Sequence, residues 1–575
     1  RPNIVLFMVD DMGWQDTSLP FYYEDGKAVR TRLNRRYAGR TPNMERLAKE
    51  GMLFTDAYAC AVCSPTRCSL MSGMNAARHR VTDWTLGVDQ QSRFGAHGEG
   101  LYPPRWSANG LQPPGTQAKG VCQPPWRTGA DGKFYQPALD APGGNAYDLK
   151  MPFTNALTFP QLLQDAGYHT IHVGKAHWGS GSGQYNRQDS TAPTTPGADP
   201  RRFGFDVNIA GCEVGGPKNY RGDAHYGNKG YSQFATPGLD ENGYYRDNVF
   251  LTDALTDMAL RELDRSHAAE PDRPFYLYMA HYALHSPLDN GRAWDASRSD
   301  DPNVAKDARN PNPNDGLKWD PMERNYSTLI QGMDDSLGKL LDKLDALGET
   351  ENTLFIFMAD NGGLSISGRL KAANAPARAG KGSCYEGGTR EPLIVRWPGK
   401  VRPGAVSHEP VIIEDFYPTI LHAAGVPPPK ALAVTPAGVH DDGPLAQVID
   451  GETFLPVLLG RRDTVRADGA DRPLLWHYPN FWGEGIPGPE YHFYSALRLG
   501  RWKLIYQHPD QSFELYDLRT DIGERRNLAD QRPGLVDKLR KEMARLLRER
   551  GAQMPRIGSP DGKPVPFPDE VVLAR

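Results

Sequence analysis

The chain has 575 residues, of which 39% are hydrophobic, and a formal net charge of −4 at pH 7. This length allows a large core, and the charge balance gives no long-range attraction for nucleic acid. No apolar run approaches the roughly 20 residues that cross a bilayer, so no membrane span is predicted. Six cysteines are too few for a disulfide scaffold.

A buried strand is predicted at the start of the chain. Residues 3–9 are predicted to be this strand, because all of them after Asn3 are apolar, as expected for a strand covered on both faces in a parallel sheet. The strand ends at Asp10 and Asp11. Apolar residues at helical spacing then predict a helix over 158–166, and the strand 169–173 follows it.

A further helix and strand are predicted near the middle of the chain. The helix runs from about Tyr326 to Leu347, and the strand 353–358 leads into Asp360 and Asn361. Alternating helices and strands predict an α/β fold with a mainly parallel sheet. Ligands bind beyond the carboxyl ends of the strands in such folds, so we expect the polar residues there to share one site.

A change of sequence texture near residue 473 predicts two domains. Residues 1–470 are predicted to form the larger domain, with long loops near 85–150 and 180–245 that are rich in Gly and Pro. Ordered loops of this length are usually functional, so these two are the predicted substrate loops. Residues 471–575 form a smaller α+β domain, with strand propensity over 495–518 and a terminal helix that carries one apolar stripe.

The acidic residues after the strands have two interpretations. Aspartates in such places often cap a helix or form a turn. If the strands lie side by side, however, three carboxylates and the carbonyl of Asn361 form a site made only of oxygen atoms. Such a site suits Ca²⁺ or Mg²⁺ rather than Zn²⁺.

Three cysteines lie close together in the segment ACAVCSPTRCSLMSG, residues 59–73. A zinc or iron–sulfur site lacks an evident fourth ligand, and a redox pair lacks a thioredoxin-like context. Two buried thiols would explain Cys60 and Cys68. None of these interpretations explains the sequence Cys-Ser-Pro-Thr-Arg over 63–67.

The segment 63–73 resembles the signature of the type I sulfatases, which depend on formylglycine and belong to the alkaline phosphatase superfamily. Further blocks resemble that family in the family's order: 3–11, 174–179, 280–287, 360–363, 380–388, 396–399, 515–518 and 527–529. The resemblance implies a large mixed, mainly parallel sheet between helices and a smaller C-terminal α+β domain. Residues 77–84 and 109–112 resemble the bacterial carbohydrate sulfatases more than the sulfatases that act on small aryl esters.

The resemblance also implies a mechanism. A maturation enzyme would oxidise Cys63 to formylglycine, whose gem-diol would be the nucleophile on a divalent cation. The cation would be Ca²⁺, with Mg²⁺ as the alternative. The implied metal ligands are Asp10, Asp11, Cys63, Asp360 and Asn361.

The same resemblance implies the other catalytic residues. Arg67, Lys175 and Lys381 would surround the sulfate. His285, with or without Lys381, would protonate the leaving oxygen, and His177 would act as the base for sulfate release. Without the family blocks, these lysines would be interpreted as surface residues and the histidines as structural ones.

The predicted substrate is a sulfated sugar of the galactose or N-acetylgalactosamine type, from which sulfate is removed in exo fashion, at a chain end. Candidate sugar contacts are Arg78, His79, Trp84, Trp106, His477 and Trp482, although packing explains these aromatic residues equally well. The alternatives are small aryl sulfates, phosphonate or phosphate esters on the same scaffold, and a relative that binds glycans without catalysis.

The resemblance places the protein in the bacterial periplasm or outside the cell, with a signal peptide already removed. The single glycosylation sequon, Asn325-Tyr-Ser327, favours this over a lysosomal glycoprotein. The expected partners are the sulfated sugar and the maturation enzyme. The sequence does not predict the oligomeric state or a role for Cys122, Cys212 and Cys384.

Overall fold

The computed structural model describes most of the chain. The described residues are 1–84, 100–104, 110–112, 127–128, 134–135, 154–179, 199–212, 214–217, 219–227, 242–244, 246–247, 249–288, 321–365, 373–428, 432–433, 446–482, 489–559 and 562–573. Trp106, Cys122 and most of the two predicted substrate loops lie outside them.

A nine-stranded sheet forms the centre of the described structure. Its strands are β1 (Asn3–Val9), β2 (Met52–Tyr58), β3 (His169–Gly174), β4 (Val207–Ile209), β5 (Phe275–Ala280), β6 (Thr353–Ala359), β7 (Arg390–Arg396), β8 (Ala405–Ser407) and β9 (Val411–Ile412). The order across the sheet is β4, β3, β5, β1, β6, β7, β2, β8, with β9 also paired to β2. Only the pairs that β7 makes are antiparallel. The predicted mixed, mainly parallel sheet is thus confirmed.

The central strand β1 sets the position of the polar residues that follow the strands. It pairs in parallel with β5 on one side and β6 on the other, and Val9 lies opposite Ala359. On the far side of β5, Gly174 of β3 lies opposite Ala280. The first residues after β1, β3 and β6 therefore meet at one edge of the sheet, as the sequence predicts.

Helices cover both faces of this sheet. They are α1 (Arg32–Arg36), α2 (Pro42–Glu50), α3 (Cys63–Ser72), α4 (Ala76–His79), α5 (Phe159–Asp165), α6 (Leu251–Ala269), α7 (Pro321–Leu347), α8 (Glu386–Thr389), α9 (Phe416–Ala424) and α10 (Leu455–Leu458). Alternate residues of β1 contribute to two separate cores. Helices α3, α5 and α9 pack into one core, and α2, α6 and α7 pack into the other.

Two predicted helices differ from the observed ones at their ends. The observed α5 begins after Thr158 and lies within the predicted range. The observed α7 begins at Pro321, five residues before the predicted start at Tyr326. Its first turn is mostly polar, so the apolar periodicity that predicts the helix does not reach it.

A four-stranded antiparallel sheet follows, in the order β10 (Pro473–Phe481), β11 (His492–Leu499), β12 (Trp502–Gln507) and β13 (Ser512–Asp517). The apolar stripe of α11 (Pro533–Glu549) packs on one face of it. The other face joins the core of the central sheet, through Trp476 and Tyr494 among others. The predicted domain boundary at residue 470 stays a prediction.

The remaining elements are short. Two-residue strands pair as Tyr23–Glu24 with Lys27–Ala28, Leu101–Tyr102 with Arg556–Ile557, Leu111–Gln112 with Thr154–Asn155, Arg127–Thr128 with Phe134–Tyr135, and Leu432–Ala433 with Ala446–Gln447. Single 3₁₀ turns lie at Pro200–Phe203, His225–Gly227, Ile413–Asp415, Pro489–Tyr491 and Pro568–Glu570. No helix in the described ranges is both long and apolar enough to cross a membrane.

A buried ion cluster joins the C-terminal sheet to the central fold. Lys503 of β12 places its Nζ 2.6 Å from Glu386 Oε1 and 3.1 Å from Glu524 Oε1, and all three side chains are fully buried. Glu386 begins α8 and also accepts a hydrogen bond from the Tyr58 hydroxyl. Burial raises the pKa of Glu524 to about 7, and Lys503 opposes that rise.

We predict that Lys503→Met lowers the free energy of unfolding by about 3–5 kcal/mol, because it leaves the buried Glu524 without its cation and leaves Glu386 with Arg390 as its cation in direct contact. Urea denaturation followed by circular dichroism measures the change. Without Lys503 the pKa of Glu524 rises further, so the loss is expected to be larger at about pH 8 than at about pH 6.

The matched control is Lys541→Met on α11, because Lys541 is 62% exposed and its partner Asp537 is also accessible. That variant is expected to lose less than about 1 kcal/mol. Equal losses in the two variants would show that the buried ion cluster stabilises the fold no more than an exposed ion pair does.

Candidate active site

Helix α3 places Cys63 at the edge of the central sheet. Cys63 is the first residue of the helix, and Gly73 ends it in the left-handed conformation at φ 68°. Pro65 fits the first turn because it has no N–H to leave unpaired. The Thr66 hydroxyl accepts a hydrogen bond from Cys60 N at 2.9 Å and so fixes the loop before the helix. The Cys63 side chain therefore lies at the positive end of a helix dipole.

Asp10, Asp11 and Asp360 form one buried carboxylate cluster. One oxygen of each lies within 4.8 Å of the others. Asn361 joins them, because its Nδ2 donates a hydrogen bond to Asp11 Oδ1 at 2.7 Å. Asp11 adopts a positive φ of 59°, which is uncommon for a residue other than glycine, and the Tyr326 hydroxyl donates to its carbonyl oxygen at 3.0 Å.

Three oxygens of this cluster are suited to a cation. Within the described ranges Asp10 Oδ1, Asp11 Oδ2 and Asn361 Oδ1 are buried and accept no hydrogen bond. Buried oxygens without a partner are costly unless a ligand satisfies them. Two carboxylates and an amide carbonyl form a hard donor set, so the residues fit Ca²⁺ or Mg²⁺.

A cation accompanies each carboxylate. Lys175 Nζ is 2.6 Å from Asp10 Oδ2, Lys381 Nζ contacts Asp11 Oδ1, and Arg67 Nη2 is 2.8 Å from Asp360 Oδ2. The formal charges of these six groups cancel. A bound divalent cation would therefore make the site positive and suit it to an anionic ester.

The pKa shifts reflect this crowding. Burial and the neighbouring Asp360 raise the pKa of Asp10. Burial opposes ionisation of Asp11 too, but Lys381, His285 and Lys175 outweigh it and hold the pKa of Asp11 below its ordinary value. Burial likewise opposes the charged form of Lys381, and Asp11 reverses the effect and raises the pKa of that lysine.

Two histidines flank the cluster. His177 Nδ1 is 3.3 Å from Cys63 Sγ, and His285 Nε2 is 4.0 Å from Asp11 Oδ2. Burial, with help from Lys381, lowers the pKa of His285 to about 3, so its imidazole is neutral in the free site. The structure thus brings together all the residues that the family resemblance implies for catalysis and metal binding.

Gly215 and Gly216 are site residues that the sequence interpretation missed. A Cβ atom on Gly215 would lie 2.7 Å from the His177 ring, and one on Gly216 would lie 2.5 Å from the His285 ring. The two glycines let the backbone lie against both imidazoles. Two adjacent glycines in the predicted loop near 180–245 were the feature of the sequence that could have indicated a close approach of the backbone to the site.

The candidate sugar contacts fall into two groups. The Trp84 and Trp482 rings meet edge to face with centroids 4.9 Å apart, and Trp482 covers Gly382, the neighbour of Lys381. Arg78, His79 and His477 instead have internal partners. Arg78 pairs with Asp450, His79 bonds to Ser69 Oγ, and His477 bonds to Ser495 Oγ and to the carbonyl of Gln553. We therefore withdraw the sugar-contact assignment for these three buried residues.

The described cysteines are all buried free thiols: Cys60, Cys63, Cys68, Cys212 and Cys384. The Cys60 sulfur lies 3.8 Å from Ser69 Oγ, and the Cys68 thiol donates to the carbonyl oxygen of Trp178 at 3.6 Å. Burial raises the pKa of Cys60 to about 12. Cys60 and Cys68 are therefore inert packing residues.

Comparison with known proteins gives consistent matches. The family profile described as Sulfatase matches residues 2–96 and 140–426, and the profile described as N-sulphoglucosamine sulphohydrolase, C-terminal, matches residues 380–552. A protein named Sulfatase from Formosa agariphila is 27% identical over 93% of this chain and 85% of its own length. The N-acetylgalactosamine-6-sulfatase of Mus musculus is 27% identical over 92% of this chain and 76% of its own length.

A solved structure supports the predicted alkaline phosphatase-like fold. The crystal structure of Ps i-CgsB has a TM-score of 0.60 and 24% identity, and the match covers 96% of this chain and 93% of that one. At this identity the likeness concerns the fold alone. Since the Sulfatase profile matches more than half of the residues, the chain belongs to the sulfatase family and is a sulfuric ester hydrolase.

Proposed function

We propose that the protein removes sulfate from a sulfated carbohydrate, with residue 63 as the nucleophile and a divalent cation held by Asp10, Asp11, Asp360 and Asn361. The observation that carries the proposal is the pairing of three buried carboxylates with three buried cations beside Cys63. Such a site holds a hard cation and still presents positive charge to an anionic ester.

Conversion of Cys63 to formylglycine belongs to the same proposal. Burial raises the pKa of the Cys63 thiol, so an unmodified residue would be a neutral thiol near pH 7. Sulfur is also a poor ligand for a hard cation. Formylglycine and the cation together supply an activated oxygen nucleophile and a route for releasing sulfate afterwards.

The chain's own residues bind the ester and move protons. Arg67, Lys175 and Lys381 neutralise the charge on the sulfate oxygens. His177 Nδ1, 3.3 Å from the sulfur of residue 63, is placed to take a proton from the group at that position. His285 is the proposed donor of a proton to the leaving oxygen. Burial and Lys381 keep its imidazole neutral in the free site, and the negative charge of a bound sulfate acts in the opposite direction and raises its pKa.

The sugar is the finer part of the proposal. A relative named N-acetylgalactosamine-6-sulfatase favours a galactose or N-acetylgalactosamine unit. We propose that the enzyme removes the sulfate from such a unit at the end of a chain. Trp84 and Trp482 offer aromatic surface beside Lys381 for a pyranose ring. We further propose Ca²⁺, with Mg²⁺ as the alternative, maturation by a formylglycine-generating enzyme, and a periplasmic or secreted location.

The decisive experiment is a panel of sulfated monosaccharides and disaccharides, with matched aryl sulfate and aryl phosphonate esters beside them. We expect sulfate release from the galactose-type sugars with higher kcat/KM than from the aryl sulfate, and slower turnover of the phosphonate. Activity on aryl sulfates alone would exclude the proposed sugar substrate. Faster turnover of the phosphonate than of the sulfates would favour a phosphonate ester hydrolase.

We predict that Cys63→Ala lowers kcat by about 10³-fold or more, because it removes the nucleophile. Cys60→Ala, three residues away, is the matched control and is expected to keep activity. Mass spectrometry of the peptide that contains residue 63 should show conversion of the cysteine in the active protein only. Wild-type turnover by Cys63→Ala with bound metal would exclude the covalent mechanism.

Removal of the cation is predicted to stop turnover and to lower thermal stability, because the partnerless oxygens then repel one another. Calcium should raise the melting temperature of the chelated protein in proportion to the logarithm of its concentration. Asp10→Asn is expected to weaken calcium binding by at least about 10-fold in titration calorimetry. The exposed Asp537→Asn should bind calcium as the wild type does, and equal affinities in the two variants would place the cation elsewhere.

A further inference from the structure

Asp83 is a half-buried acid whose carboxyl is held in one orientation. The backbone N–H of Trp84 donates a hydrogen bond to its Oδ1 at 2.8 Å, and the Tyr478 hydroxyl donates to the same oxygen at 3.0 Å. Within the described ranges both hydrogen bonds to the carboxyl end on Oδ1. The second oxygen, Oδ2, is therefore left for a ligand.

Close contacts connect this carboxyl to the active site. The Tyr478 ring stacks on Tyr494 with centroids 5.3 Å apart, and the Tyr494 hydroxyl donates to the carbonyl oxygen of Gly382 at 3.2 Å. Gly382 N in turn donates to the carbonyl oxygen of Ala61 at 2.7 Å. Gly382 follows Lys381, and Ala61 lies two residues before Cys63. Asp83 is thus fixed relative to both the nucleophile and a sulfate-binding lysine.

The two tryptophans place the carboxyl at the wall of the site. A Cβ atom on Gly382 would lie 2.1 Å from the Trp482 ring, so that ring covers the loop that carries Lys381. The Trp84 ring, adjacent to Asp83 in the chain, packs edge to face against Trp482. The acid and the two aromatic rings therefore lie together beside the loop that carries Lys381.

The charge of Asp83 opposes the rest of the site. Arg67, Lys175 and Lys381 attract anions, whereas Asp83 repels them, and no ion pair among the described residues neutralises it. Burial raises the pKa of Asp83 to about 7, because it disfavours the charged form of the carboxyl. A carboxylate beside an anion site favours a neutral hydrogen-bond donor and disfavours a second anion.

We propose that Asp83 is a specificity-determining residue that accepts a hydrogen bond from a free hydroxyl beside the sulfated carbon of the sugar. A sugar that carries a second sulfate or a carboxylate at that place is excluded, because the like charges repel and the hydrogen bond is lost. This role depends on the proposed carbohydrate sulfatase function. Among sulfated sugars, it selects those without a second anionic group beside the sulfated carbon.

The test compares the wild type with Asp83→Asn on two substrates, a monosulfated N-acetylgalactosamine and its disulfated counterpart, at about pH 8.5, where Asp83 is ionised. The variant keeps an acceptor oxygen for Trp84 and Tyr478, and it replaces Oδ2 by an amide NH₂ group, which removes both the charge and the acceptor that the sugar hydroxyl would use. We expect kcat/KM for the monosulfated sugar to fall by roughly 10- to 100-fold. The preference for the monosulfated sugar should fall at least about 10-fold.

Tyr478→Phe is the second variant, because it removes the hydroxyl that orients the carboxyl and leaves its charge. It should lower kcat/KM for the monosulfated sugar while the disulfated sugar remains a poor substrate. Asp510→Asn, in the turn between β12 and β13, is the matched control and should leave both substrates unchanged. Asp83 is not one of the proposed calcium ligands, so the affinity for calcium should be the same in all variants.

The outcomes separate this inference from the proposed function. If the wild type releases sulfate from sugars and Asp83→Asn keeps the wild-type substrate preference within about twofold, the role of Asp83 is overturned alone. If the wild type releases no sulfate from any sugar, the carbohydrate function fails and this inference falls with it. Loss of the preference in Asp83→Asn, with the fold and calcium affinity intact, supports both.

Discussion

Three carboxylates buried side by side repel one another strongly, and the rest of the site is arranged around that repulsion. Lys175, Lys381 and Arg67 each neutralise one of them, and each comes from a different segment of the chain. The edge of the central sheet is where these segments meet. A charge-balanced site of this kind stays intact without substrate and gains net positive charge only when a divalent cation enters.

The parallel register of the central sheet makes this meeting possible. Since β1 lies between β5 and β6, the acids that follow β1 and β6 have to leave the sheet at the same edge. Helix α3 then brings Cys63 and Arg67 to that edge from the sequence after β2. The proposed nucleophile, the proposed metal ligands and the three cations are therefore carried by buried elements of the fold, which limits their movement.

The C-terminal sheet is part of the active-site wall as well as a cover for the core. Tyr478 and Tyr494 of β10 and β11 contact Asp83 and Gly382, and Lys503 of β12 binds Glu386 just beyond the Lys381 loop. The role proposed for Asp83 in substrate selection thus depends on correct docking of this sheet. Substitutions in β10 and β11 would therefore alter the proposed substrate specificity by moving Asp83 or the loop of Gly382.

The sequence by itself determined the central strands, the mixed α/β fold, and the family through the segment 63–73. Buried strands read as unbroken apolar runs, and the family signature is local, so neither depends on distant contacts. The same local reasoning found the acids of the metal site, since they follow strands that were recognisable.

Only the tertiary structure decided which of the remaining polar residues face the substrate. Arg78 and His79 look like binding residues in the sequence, but each is buried against a partner. Asp83, a few positions later, was not among the predicted sugar contacts, because the role proposed for it depends on Tyr478 almost 400 residues away. The three cysteines of the segment 59–73 are distinguished in the same way. Cys63 lies at the candidate active site, whereas Cys60 and Cys68 pack internally. Only long-range contacts separate these environments.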